Sequence, residues 1–128
     1  MIEMKVNGLA TDSTSRMPIV ILTDMEEKRY LPIWVGVYES DAILMALEHI
    51  EVPRPMTHDL LKGILETTGI EVTEVLISDI KENTFYAKII LNDAGTEYEI
   101  DSRPSDAIAL ALRFDAPIFV AENVIMEA

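Results

Sequence analysis

Asp101-Ser102-Arg103-Pro104-Ser105-Asp106-Ala107-Ile108-Ala109-Leu110-Ala111-Leu112-Arg113 reads as the end of a strand, a polar turn and an amphipathic helix. Its centre occurs twice. Ser40-Asp41-Ala42-Ile43-Leu44-Met45-Ala46-Leu47 matches Ser105 to Leu112 at six of eight positions. The flanks agree in outline. An apolar strand (Ile19 to Thr23; Tyr86 to Leu91) leads to a turn with an acidic residue (Asp24; Asp93). A strand carrying a Tyr follows (Tyr30 to Val35; Glu97 to Asp101), and then the helix. Self-similarity takes precedence over other signals. The chain therefore reads as two strand-strand-helix units, about residues 17–50 and 84–113, related by a pseudo-twofold axis and joined by a short helix. The expected class is α+β: a mainly antiparallel sheet with about three helices, in one domain over residues 1–128.

The helices have a local cause. Short polar side chains ahead of an apolar run accept hydrogen bonds from free N–H groups, and an Asp suits the positive helix end. Pro104 fits a first-turn position, where its missing N–H costs nothing, and Ser102 is the expected cap. Residues four apart share a face. Ala42 and Ala46 (Ala107 and Ala111) make a small stripe, and Ile43 and Leu47 (Ile108 and Leu112) a large one. Such a pair of stripes permits close approach to a sheet or a second helix.

Elsewhere, Ile2, Met4 and Val6 alternate with polar residues as in a half-buried strand. Ala10 to Arg16 is a polar loop, and Met17 to Leu22 a buried strand. Arg29 to Val37 returns as a strand whose Pro32 implies an edge or a bulge. The first helix spans about Glu39 to Ile50. After Pro53 and Pro55, Thr57 is the expected N-cap of the connecting helix. Leu60, Leu61, Ile64 and Leu65 form its apolar face, and Gly69 stops it. Ile70 to Ile80 is a long strand bent near Glu74. Thr84 to Leu91 pairs through the Asn92-Asp93-Ala94-Gly95 turn with Thr96 to Asp101, with Tyr98 and Ile100 facing in. Ala116 to Val120 is a short last strand, and Val124 to Ala128 a further turn of helix.

Of 128 residues, 49% are hydrophobic and 26% charged, as in ordinary globular proteins. No apolar run reaches membrane-spanning length, so no membrane partner is expected. With no Cys there is neither a disulfide framework nor a thiolate metal site, and the expected compartment is the cytoplasm. The net charge of −13 repels polyanions at long range, so nucleic acid is disfavoured as a partner unless a local basic patch offsets it. No phosphate loop, His-Glu-x-x-His or Gly-x-Ser-x-Gly occurs.

Three polar groups remain. In Arg54-Pro55-Met56-Thr57-His58-Asp59-Leu60, His58 is a candidate general base or metal ligand, Arg54 a phosphate contact and Asp59 an orienting or metal-side carboxylate. The bland alternative is a capped helix start with a surface histidine. Arg103 and Ser105 lie at a helix mouth that suits an anion; alternatively, Arg103 pairs with an acid such as Asp101. Asp41 and Asp106 hold equivalent places in the two units. Together they would bind a divalent ion through water; apart, each complements its own helix.

Leu31-Pro32-Ile33-Trp34-Val35-Gly36 with Glu39-Ser40-Asp41-Ala42-Ile43, then Arg54 to Leu60, then Asp101 to Ala111, resemble the bifunctional nuclease (BFN) domain family. The resemblance runs over nearly the whole chain. It implies that family's fold and cleavage of both DNA and RNA. One expectation is thus a nuclease assisted by a divalent metal ion, with His58, Asp59 and Asp106 catalytic, and with Arg54, Arg103 and Ser105 holding phosphate. This requires the connecting helix and the second-unit helix to converge. The other expectation is a non-catalytic module that self-associates and binds a protein or a small anion. A homodimer fits either.

Overall fold

The structure, a computed structural model, describes residues 1–128. In chain order the elements are β1 (Ile2–Thr11), β2 (Pro18–Asp24), β3 (Tyr30–Trp34), α1 (Val37–Leu47), α2 (Thr57–Thr67), β4 (Ile70–Lys81), β5 (Thr84–Asp93), β6 (Thr96–Ser102), α3 (Pro104–Phe114), β7 (Ile118–Val120) and α4 (Glu122–Glu127). All strands join one sheet in the order β3-β2-β1-β7-β4-β5-β6. Each half is an antiparallel meander followed by a helix: β1-β2-β3-α1 and β4-β5-β6-α3. The units are thus longer than the sequence match, since each gains a leading strand. β7 joins them, antiparallel to β1 and parallel to β4. The class is α+β, with four helices where about three were expected; the fourth, α4, takes up the turn expected from Val124 and begins earlier, at Glu122.

Turn chemistry sets the hairpins. Between β5 and β6 the loop is Ala94-Gly95, both at positive φ (51 and 94), and Asn92 Oδ1 accepts the Gly95 N–H at 2.9 Å. Positive φ at both loop residues matches the right-handed twist of the flanking strands. Between β2 and β3, Asp24 Oδ1 accepts the N–H groups of Lys28 and Arg29 at 2.7 and 3.1 Å. The bend expected near Glu74 is a register shift between Val72 and Glu74, with a second between Ile77 and Asp79. Pro32 sits in β3, at one edge of the sheet, as a strand proline should. The expected polar loop is shorter than Ala10 to Arg16, because β1 continues through a register shift to Thr11.

The helix starts differ from expectation. Ser102 is not the cap of α3: Arg103 holds that place, and Ser102 Oγ donates instead to the Arg103 carbonyl at 2.7 Å. Pro104 is the first helical residue, so Asp106 lies in the first turn. In α1 the cap is Gly36 and helix begins at Val37, which leaves Ser40 and Asp41 beyond the first turn. Met56, not Thr57, caps α2; its N–H donates to Asp59 Oδ2 at 3.0 Å. Gly69, at φ 78, ends α2 as expected.

The two long helices share a topological place but not an environment. α3 is buried nearly all round, with Pro104, Ser105 and every residue from Ala107 to Ala111 inside. It packs against α1, α2, β4 and β5. Only Ala42 and Ile43 of α1 are buried. A helix apolar on all sides belongs in a core, and the small side chains of Ala107, Ala109 and Ala111 let three layers close around it. The equivalent alanines should therefore respond unequally. Ala111→Leu is expected to cost about 1–3 kcal/mol by overpacking. Ala46→Leu, at a half-buried position, should stay within about 0.5 kcal/mol. Denaturant unfolding of both variants measures the difference.

Two apolar faces are left largely open. Leu60, Leu61 and Ile64 of α2 are exposed. Tyr98 and Ile100 do share the helix-side face, through the registers Leu91↔Tyr98 and Ile89↔Ile100, yet no helix covers them and they too are exposed. A groove lies between α2 and the β5–β6 hairpin.

Candidate functional site

The start of α2 meets α3, and adjacent residues diverge there. His58 Nε2 lies 2.8 Å from Asp106 Oδ1, near the start of α3. Asp59 Oδ1 accepts from Arg113 Nε at 2.8 Å, near its end. Those partners are seven residues apart, roughly 10 Å along a helix axis. The α2 start thus straddles the middle of α3. Neighbours on a helix point about 100° apart, so one faces each way.

At the His58 end the network is continuous. Asp106 accepts His58 on Oδ1 and Arg103 on Oδ2, the latter from Nε and Nη2, both at 2.9 Å. Glu39 of α1 approaches Arg103 Nη2 at 3.8 Å. Arg103 therefore pairs with Asp106 and Glu39, not with Asp101. Hydrogen bonding and charge from Asp106, with Glu39 adding charge, raise the Arg103 pKa above its ordinary value. The histidine is no surface residue: its side chain is only 8% exposed. A carboxylate accepts and does not donate, so the ring nitrogen facing Asp106 carries the proton. Nδ1 has no protein partner, and in the neutral ring it is the nitrogen that accepts a proton.

The other candidates separate from this cluster. Asp59 has both oxygens engaged, by Arg113 and by the Met56 N–H. Its carboxyl is held below the usual range, first by the hydrogen bond from Arg113, then by that of Met56 and the charges of Arg113 and His58. Arg54 is exposed in the loop before α2 and joins no ion pair. Ser105 is buried beneath the mouth of α3. Asp41 is exposed and outside the network. No group of three or more His, Cys, Asp or Glu side chains is placed to hold a metal ion. Both Asp106 oxygens are occupied, and Arg103 stands between Asp106 and Glu39. As arranged, these donors do not fit a divalent cation.

Arg113 is the residue that sequence reasoning passed over. Its side chain is 7% exposed, and Nη1 donates to the Ala109 carbonyl at 3.0 Å. The available signal was an Arg ending a helix otherwise apolar enough to be central. Glu39, two residues before Asp41 in the chain, joins the network through Arg103 while Asp41 stays outside it.

Residues 20–128 match the bifunctional nuclease domain. The chain belongs to that family. It is 38% identical over 126 residues to an uncharacterised protein of Mycobacterium tuberculosis, covering 98% of this chain and 75% of that one. It is 33% identical over 116 residues to bifunctional nuclease 1 of rice, Oryza sativa subsp. indica, covering 88% of this chain but 35% of the rice protein. Bifunctional nuclease 1 of Arabidopsis thaliana is 31% identical over 93 residues, or 70% of this chain and 29% of that one. The match to the family begins within β2 and includes every residue of the His58–Asp106–Arg103 network. This BFN domain has no helix long and apolar enough to cross a membrane.

Proposed function

We propose that this BFN domain hydrolyses phosphodiesters in nucleic acid, with His58 as general base and Arg103 as the phosphate contact. The observation that carries this reading is the His58–Asp106–Arg103 chain of hydrogen bonds. Asp106 fixes the tautomer of His58, as the carboxylate does in hydrolase triads. His58 Nδ1 takes a proton from a water as the water oxygen attacks phosphorus. The P–O ester bond breaks, and the leaving oxygen is protonated from solvent. The narrow access to the imidazole favours water as nucleophile over a bulkier one. Arg103, 65% exposed, keeps Nη1 free of protein contacts and so has a donor for a phosphate oxygen.

The test is cleavage of single- and double-stranded DNA and RNA by purified protein, with and without chelator, beside His58→Ala and Arg103→Ala. Activity is expected to persist in chelator and to fall in both variants. Loss in chelator would mean that a cation enters by displacing Arg103 from Asp106, and would overturn the metal-free assignment. Equal activity in all three proteins would mean a contaminant or another site.

Salt gives a second check. Binding through many phosphate contacts weakens steeply as salt rises. Here one Arg faces a chain of net charge −13. Long-range repulsion, which salt relieves, opposes the single contact, which salt weakens. KM is expected to change less than about fivefold over a fourfold rise in salt. A steep rise in KM would indicate a different, basic nuclease in the preparation.

The alternative, a non-catalytic module that self-associates and binds a protein or a small anion, draws support from the exposed Leu60, Leu61 and Ile64 of α2. It predicts no cleavage and a concentration-dependent dimer in sedimentation.

A further inference from the structure

The groove between α2 and the β5–β6 hairpin has a volume of ≈ 650 Å³. Leu61, Ile64 and Leu65 form one wall; Phe85, Ile89 and Ile100 lie in the facing one. Its mouth is polar, with Asp101, Ser102, Arg103 and Asp106. Arg103 also borders a second cavity, of ≈ 300 Å³, on its other side, where Trp34 and Phe85 lie in the lining. Arg103 therefore lines two neighbouring hollows, and Phe85 lies in the lining of both. Both hollows fall within the range of about 300–1,000 Å³ usual for small-ligand sites.

We propose that the larger groove is a base subsite: it takes one unpaired nucleobase of a single-stranded nucleic acid, whose adjoining phosphate lies against Arg103. This rests on the nuclease reading for the position of the phosphate. A flat ring suits a slot walled by aliphatic and aromatic side chains, because every base has a π-face and stacking is indifferent to sequence. The polar mouth offers partners for the sugar and phosphate, and Asp106, which lines it, is hydrogen-bonded to His58. A paired base cannot enter without leaving its stack, so the groove selects single strands. It also lets a chain of net charge −13 hold a polyanion, since the affinity comes from apolar contact with the base, not from summed phosphate pairs. The same charge opposes a second copy of the chain as occupant.

The experiment compares adenosine monophosphate with ribose 5-phosphate, which keeps the sugar and phosphate but lacks the base. Binding is measured by calorimetry on wild type, Ile64→Glu and Ile100→Glu. Both positions are exposed, so the variants should fold, and far-ultraviolet circular dichroism checks this. Wild type is expected to bind the mononucleotide about tenfold or more tightly than ribose 5-phosphate, the order that one stacked base contributes. Both variants should bring that ratio close to one. Single strands should be cleaved in preference to duplex, and the variants should raise KM more than they lower kcat. Equal affinity for the two probes in wild type, or no binding of either, overturns the subsite. Variants that only dissolve a dimer also overturn it, and make the groove a self-association surface. Base-dependent binding without any cleavage would leave the subsite standing and remove the nuclease reading. Cleavage without base preference would do the reverse.

Discussion

Replacing His58 with Ala is expected to lower the rate of phosphodiester cleavage by roughly 10²–10⁴-fold, the usual contribution of a positioned general base. The loss should fall on kcat, because His58 touches Asp106 and not the phosphate contact. Asp106→Asn should fall nearly as far. An amide can present its NH₂ to the imidazole, and the ring would then carry its proton on Nδ1, the nitrogen needed as acceptor. Arg103→Ala should act differently: it removes a phosphate donor and raises KM. Arg103→Lys should not restore it, since the present geometry uses two guanidinium nitrogens on one carboxylate oxygen. Stability separates these effects from unfolding. Asp106 keeps Arg103 when His58 is removed, so His58→Ala should cost about 2–3 kcal/mol, from its hydrogen bond to a carboxylate and the small cavity left at a buried position. Steady-state kinetics beside denaturant unfolding measure both. Full activity in His58→Ala would leave the network a purely structural clamp.

The network was partly legible in the sequence. Pro104 marked the start of α3, Gly69 the end of α2, and the repeated Ser-Asp-Ala-Ile the place of both long helices. These are local signals, since a proline or a glycine reports its own backbone conformation. The meeting of His58 with Asp106 is not local: 48 residues separate them. It depends on α2 crossing α3 near its middle, which no periodicity records. The same crossing sends Asp59 away from His58, so a pair that reads as one cluster along the chain serves two places in space. The repeat misled in one respect. Near-identical octets implied matching environments, but α3 is enclosed and α1 is peripheral. An octet that mixes two or three alanines with larger apolar side chains suits either place, and it is the layers around it that decide. The apolar face of α2 was also read as apolar, yet of its four residues only Leu65 packs against the core. Sequence period shows which residues share a face, not whether the fold supplies something to cover it.

The Asp59–Arg113 pair should carry the largest stability effect, and an asymmetric one. Arg113 is 7% exposed and Asp59 33% exposed. Asp59→Ala leaves a buried guanidinium with the Ala109 carbonyl as its only remaining partner. Removing one member of a buried pair typically costs about 3–5 kcal/mol; water reaches Asp59, so about 3 kcal/mol is expected here. Arg113→Met should cost clearly less, because Met fills much of the same volume and the remaining carboxylate can hydrate. The double variant should resemble Arg113→Met alone, as the buried charge is then gone. Acid supplies an independent test. The Asp59 carboxyl is held below its ordinary value, chiefly by Arg113. Its contribution is therefore present above the unfolded value, near about 3.9, and is lost as pH falls through the lower folded value. The gap in stability between wild type and Arg113→Met should accordingly be full at neutral pH and close below about pH 4. Denaturant midpoints of the two proteins across that range measure it. A gap that persisted unchanged into acid would mean that Arg113 acts through packing of its aliphatic stem and not through its partner's charge.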